Sequence, residues 1–310
     1  MQYEISGFWR RLGAFFIDSI ILSAFGFILG LVFTPYLVEL GGWGRVLGFF
    51  IAITYFAILN SSIGGGQTIG KRLLKIQVLD KDGELLNFTK SAIRYSIIGI
   101  PFFLNGALIP ESFFHTIVFY LLSVLVFGFS SSIVYLIVFN RNTRQSLHDI
   151  IVGSFVIMKG VKSSKPCKSI WSVHYVICAI IMVLALLAPI LIGHLSKKDF
   201  FSQLITTREQ IQDIPEVAFA TIQDGQSIFK PLDGESTKTT YIASKIYIKS
   251  LNIEDEQLAT KIAKAILKTH KEAIQKNLIT VTLIYGYDIG ISSRCWGNTY
   301  AFTPDEWLAK

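Results

Sequence analysis

Cysteine is scarce in this chain. Only Cys167, Cys178 and Cys295 occur in 310 residues, widely spaced and without a Cys-x-x-Cys pair. That argues against a disulfide framework and a cysteine-based metal site. Catalytic signatures are missing too. There is no Gly-x-Ser-x-Gly, no metal-ligand cluster and no nucleophile–base pattern, so neither an enzyme nor a resident cofactor is expected. Cys295 beside Trp296 reads as a small buried side chain rather than a reactive thiol. Charge is thin: 16% of residues are Asp, Glu, Lys or Arg, against 51% apolar ones. With a mean hydropathy of +0.50, membrane spans are the first expectation.

What charge there is, is unevenly spread. The net +7 belongs entirely to residues 1–193, where 15 Lys and Arg face 8 Asp and Glu; residues 194–310 hold 14 of each. A basic excess confined to the apolar half points to loops at a membrane surface, not to nucleic acid.

A span needs about 20 mainly apolar residues. Five segments qualify as expectations: 16–36, 46–63, 95–109, 113–139 and 171–193. The third is short and interrupted by Pro101. The first could pass for a signal peptide, but Asp18 interrupts it and no small-x-small cleavage site follows, so it reads as a retained span. Residues 150–158 are apolar but too short to cross, and read as interfacial or packed on the bundle. The loops then divide the cations 14 to 1, with Arg45 alone on the second side. By the positive-inside rule the N-terminus is cytoplasmic and residues 194–310 are extracytoplasmic.

Two polar constellations interrupt this pattern. At the first span, Gly7-Phe8-Trp9-Arg10-Arg11-Leu12-Gly13-Ala14-Phe15-Phe16-Ile17-Asp18 puts an arginine pair before an apolar run and an aspartate inside it. Arg11 and Asp18 share nearly one helix face, about 10 Å apart along the axis, so each needs a partner elsewhere. The second is Arg144-Gln145-Ser146-Leu147-His148-Asp149, where His148 could titrate near neutrality. Carboxylates at membrane depth are costly, and salt bridges from Asp18 and Asp149 to Arg11 and to Arg94 or Arg144 are the simplest explanation. Between them, Gly65-Gly66-Gln67-Thr68-Ile69-Gly70-Lys71 spells the start of a phosphate-binding loop. Arg72 then stands where Ser or Thr would hold magnesium, and a span rather than a strand precedes it. The plainer reading is a flexible exit from the membrane, with Lys71, Arg72 and Lys75 at anionic headgroups. Ile76–Leu79 reads as a short strand.

These three motifs, in this order, resemble the RDD family of bacterial membrane proteins, named for one arginine and two aspartates. The resemblance covers about residues 6–158. It implies that the named residues are Arg11, Asp18 and Asp149. It also implies residence in the bacterial inner membrane and, by what is suggested for some members, transport of ions such as sodium and protons.

Beyond the resemblance, 196–213 reads as a connecting helix and 223–236 as turn-rich. Ile242, Ile246 and Ile248 mark a half-buried strand, and Leu258, Ile262, Ile266 and Ile274 one face of a helix that also carries His270. The alternation from Ile279 to Ile291 is the clearest strand, 298–302 can pair back on it, and Thr303-Pro304-Asp305-Glu306 opens a last helix. The expected architecture is a multi-pass α-helical membrane bundle plus a C-terminal extracytoplasmic α+β domain. Residues 1–160 form the membrane domain, 171–193 a fifth helix and 194–310 the domain beyond it.

Two functions fit. One is ion transport or an accessory to it, through Arg11, Asp18, Arg94, Arg144, His148 and Asp149. Five spans are few for a secondary transporter, so that reading calls for a homo-oligomer. The other is a non-catalytic scaffold or sensor, whose C-terminal domain binds an envelope protein or ligand. In both, the lipid bilayer is the standing partner.

Overall fold

The computed structural model describes residues 3–105, 116–162, 169–195, 199–230 and 236–310. They form two compact units. One comprises Met1–Val32, Gly42–Gly193 and Asp288–Ser293, the other Phe33–Gly41, His194–Tyr287 and Arg294–Lys310.

The first unit is helical. Its elements are α1 (Phe8–Glu39), α2 (Gly44–Leu59), α3 (Ile69–Leu73), α4 (Phe88–Leu104), α5 (Ile117–Ser123), α6 (Phe129–Phe139), α7 (Leu147–Val152) and α8 (Ser172–Leu195). A π-turn at Val124–Gly128 joins α5 to α6. Four helical stretches are long and apolar enough to cross a membrane among the described residues: Phe8–Glu39, Gly41–Leu59, Ile117–Phe139 and Ser172–Leu195. Their outer faces carry bare apolar side chains such as Phe16, Ile28, Leu184 and Leu191. Only lipid makes that arrangement favourable. The chain is therefore a helical membrane protein. Helix α4 starts at Phe88, ahead of the span expected from residue 95, and passes through Pro101 without a break. At 17 residues it measures about 25 Å, slightly less than the hydrocarbon thickness. Residues 106–109 and 113–115 of the expected spans lie outside the described residues.

A small sheet accompanies the helices. Strands β1 (Tyr3–Ile5), β2 (Ile76–Asp80) and β3 (Ser154–Lys162) take the order β1-β3-β2, with both pairings antiparallel. Ile76 pairs with Met158 and Asp80 with Ser154. Ile76, Val78, Leu86 and Val156 pack with Ala14 of α1. The expected strand at Ile76–Leu79 is present. The apolar stretch at 150–158 is not one interfacial segment: it ends α7, turns at Gly153 (φ +68°) and becomes β3. A short apolar run cannot distinguish a strand from a helix by periodicity.

The second unit is α+β. It contains α9 (Asp199–Gln212), β4 (Val217–Phe229), β5 (Thr237–Ile248), α10 (Glu256–Thr269), β6 (Leu278–Asp288), β7 (Ser293–Phe302) and α11 (Pro304–Ala309). The sheet order is β4-β5-β6-β7, and α10 forms the crossover between the parallel strands β5 and β6. Ile242, Ile246, Ile262, Ile266, Ile279 and Trp307 are fully buried in its core. Gly286 sits where a Cβ would lie 2.3 Å from the Arg294 carbonyl oxygen, which explains a glycine in the middle of β6. From Gln223 to Phe229 the chain is not turn-rich but continues β4, paired to β5 through Phe229↔Thr237, and residues 231–235 of the expected turn-rich segment lie outside the described residues. Ile274 is exposed, in a turn beyond α10. Cys295 is exposed on β7 rather than buried.

Candidate functional site: a buried ionic cavity in the membrane unit

Helix α1 presents Phe8, Arg11, Leu12, Phe15 and Asp18, spaced three and four residues apart, to a cavity of 310 Å³. Asn60, Lys71, Arg94, Ile133, His148 and Asp149 contribute from α2's end, α3, α4, α6 and α7. Both aspartates and the four basic candidates for ion transport, Arg11, Arg94, Arg144 and His148, line this one space.

The two carboxylates are held differently. Asp149, 1% exposed, has the ion pairs. The Nε and Nη2 of Arg94 both donate to its Oδ1, at 2.9 and 2.7 Å, and the Ser154 hydroxyl donates to the same oxygen at 2.9 Å. Arg11 Nη1 stands 3.6 Å from Oδ2. Ser146 and Asp149 also form a capping box at the start of α7, so one carboxylate caps a helix and closes a salt bridge. Burial opposes its charge, but Arg94, with His148 and Arg11 behind it, holds the carboxyl below the usual carboxylate range.

Asp18, also 1% exposed, departs from expectation: among the described residues no cation lies within ion-pairing distance of it. It accepts from the Tyr55 hydroxyl at 2.7 Å, the Thr68 hydroxyl at 2.5 Å and the Gly70 backbone N–H at 2.9 Å. Two of these donors belong to the Gly66-Gln67-Thr68-Ile69-Gly70-Lys71 loop. That loop is no flexible exit. Thr68 caps α3, and Gln67 donates to the Ile76 carbonyl oxygen at 2.8 Å while accepting from Lys159 at 2.6 Å. A Cβ on Gly70 would lie 2.2 Å from the Ala14 carbonyl oxygen. The glycine therefore lets α3 press against α1 and aim its N–H at Asp18.

The cations other than Arg94 rest largely on neutral oxygens. Arg11 donates to the carbonyl oxygens of Arg144 and of Val156, the latter at 3.0 Å. Arg144, in a left-handed backbone conformation (φ +54°), thus contributes its carbonyl to the cluster. Lys71 donates to Asn60 Oδ1 rather than reaching a headgroup, so it belongs to this site and not to the membrane surface. Burial holds its ammonium well below the usual lysine range, reinforced by Arg94 and Arg11 and opposed by Asp18 and Asp149. Burial likewise pushes His148 down to about 3, leaving the ring neutral beside Asp149. Tyr55, Asn60 and Thr68 were missed as well, because their roles depend on contacts formed only on folding.

A second polar cluster lies in the α+β unit. Lys276 donates to Asp224 Oδ1 at 2.9 Å, and His270 Nε2 lies 3.2 Å from Oδ2. Asp224, His270 and Glu272 bring metal-ligating atoms within 4.8 Å of one another, but the Lys276 ammonium already neutralises the shared carboxylate. His270 follows the end of α10 and is buried, not displayed on the helix.

A helical membrane unit with an arginine–aspartate cluster is the class these observations define. Residues 5–153 match the RDD family, so that segment is similar to it. The match ends just before β3, leaving α8 and the α+β unit outside. The uncharacterised protein YckC of Bacillus subtilis (strain 168) is 25% identical over 154 residues, which cover 50% of this chain and 85% of the relative. No solved structure matches the chain.

Proposed function

We propose that the membrane unit is an ion-transport site in which Asp18 exchanges a proton, while Asp149 is a fixed structural charge. The observation that carries this is the contrast between the two carboxylates. Asp149 is committed to Arg94, whereas Asp18 is buried among neutral donors only. Two of those donors are hydroxyls, which can turn to accept once the carboxyl is protonated, so the pocket suits either state. A sodium ion fits less well: it would need several oxygen lone pairs, and the Gly70 N–H supplies none. The transporting form is a homo-oligomer in the bacterial inner membrane. Its five spans include α4, its N-terminus is cytoplasmic and its α+β domain is outside. Proton flux into proteoliposomes tests the reading. Asp18→Asn is expected to abolish flux, and flux unchanged by that substitution would remove Asp18 from the mechanism.

A second reading, a scaffold or sensor, is supported by the α+β unit's own buried core. It predicts an envelope partner that co-purifies with the full chain and is lost on truncation after Gly193. Neither reading includes an enzymatic step or a nucleic-acid partner.

A further inference from the structure

The cavity has two kinds of wall. Arg11, Lys71, Arg94, His148 and the two aspartates gather the polar atoms, while Phe8, Leu12, Phe15, Phe56, Ile133 and Ile137 supply apolar ones. A path for a hydrated ion alone would not need so much hydrocarbon.

The hydrogen bonds are also unevenly satisfied. The aspartates are fully engaged: Asp149 by Arg94 and Ser154, Asp18 by three donors. The cations are not. Arg11 and Lys71 lean on carbonyl oxygens, with the nearest carboxylate oxygen to Arg11 at 3.6 Å. Among the described residues, Arg11 Nε and His148 Nδ1 are buried with no hydrogen-bond partner. Buried polar atoms of this kind call for a partner, and what a guanidinium Nε lacks is an acceptor. An anionic oxygen would supply that acceptor and face the neighbouring cations as well.

The apolar wall is open on one side. Leu12 and Phe15 line the cavity and yet are 45% and 48% exposed. They lie on the same α1 surface as Phe16, within the apolar run that faces lipid. A cavity of about 150 Å³ takes up a benzene of six heavy atoms, so 310 Å³ holds about twelve. That is a headgroup and part of one chain, with the remainder passing out beside Leu12 and Phe15.

We propose that this cavity binds a single-chain anionic amphiphile, its carboxylate or phosphate head received by Arg11 and Lys71 and its chain lying against Leu12, Phe15 and Ile137. The binding stands whether or not Asp18 exchanges protons. It is linked to protons in direction: Lys71 donates to the neutral Asn60 oxygen, and an anion beside it favours the charged ammonium that burial disfavours, so binding shifts this lysine toward its protonated form.

The test uses the full-length protein in nanodiscs of zwitterionic lipid. Radiolabelled palmitate, lysophosphatidic acid, hexadecanol and inorganic phosphate are the probes. Saturable binding of palmitate or lysophosphatidic acid is expected, with hexadecanol and phosphate at least tenfold weaker; which of the two acids binds tighter identifies the head. Lys71→Met is expected to weaken binding at least tenfold and to abolish the proton uptake, read as calorimetric heat in buffers of different ionisation enthalpy. Leu12→Trp, which blocks the chain's exit and leaves the ionic groups intact, is expected to weaken binding without changing proton uptake per ligand. Equal binding of hexadecanol, binding of phosphate as tight as that of the acids, or affinity unchanged in both variants would each overturn the proposal.

Discussion

Replacing Arg94 by methionine isolates the energetics of the cluster. The substitution keeps the aliphatic volume and leaves Asp149 buried without its two closest charged hydrogen bonds, at 2.9 and 2.7 Å. Removing one partner of a buried ion pair costs about 3–5 kcal/mol. Arg11, 3.6 Å from the other oxygen, still supplies attraction, so the lower end, about 3 kcal/mol, is expected. For a unit of this size that is a fall of about 6–12 °C in the unfolding midpoint. Arg94→Lys keeps the charge but loses the Nε donor, and is expected to cost about 1–2 kcal/mol. Arg94→Met combined with Asp149→Leu removes both charges and is expected to recover most of the loss. Thermal unfolding in mild detergent, followed by fluorescence, measures all three. A loss below about 1 kcal/mol for Arg94→Met, or a double variant as unstable as the single one, would refute the ion pair as the organising contact.

Other outcomes follow from the same geometry. Gly70→Ala places a Cβ 2.2 Å from the Ala14 carbonyl oxygen and is expected to cost about 2–3 kcal/mol as α3 lifts from α1; wild-type stability in a denaturant titration would contradict this. Unfolded, His148 takes up its proton near its ordinary 6.5, but folded only at about 3. The unfolded state therefore binds more protons between those values, and stability falls as the pH drops from 6.5 toward 3. In His148→Asn that part of the pH dependence is expected to vanish, leaving the loss that protonation of Asp149 adds at lower pH. Topology reporters fused after Lys159 and after Lys310 are expected on opposite sides of the membrane; both on one side would break the five-span arrangement.

The sequence carried the architecture well where local chemistry decides it. Long apolar runs need no tertiary information to be read as membrane helices, and the β6 alternation and the Thr303 cap are local signals. The shared face of Arg11 and Asp18 follows from helix geometry alone. Their partners do not. Asp149 meets Arg94 across 55 residues of chain and Asp18 meets Thr68 across 50, and one sequence cannot say which arginine folds against which aspartate. Arg94 was already a candidate for such a bridge, but Asp18 was wrongly expected to find a cation. Lys71 was assigned to the membrane surface because a lysine beside an arginine after a span usually lies there. What draws it inward is the close approach of Gly70 to α1, visible in the sequence only as a glycine. β4 was missed because from Gln223 onward its side chains are mostly exposed, so no alternation marks it.

The central claim is that Asp18 changes protonation inside the membrane unit. Infrared difference spectroscopy during a pH titration of the protein in lipid observes this directly, since a protonated buried carboxyl has its own C=O stretch. The account predicts a titrating carboxyl band that disappears in Asp18→Asn and persists in Asp149→Asn. A band that survives in Asp18→Asn, or none at all in the wild-type protein, would contradict it.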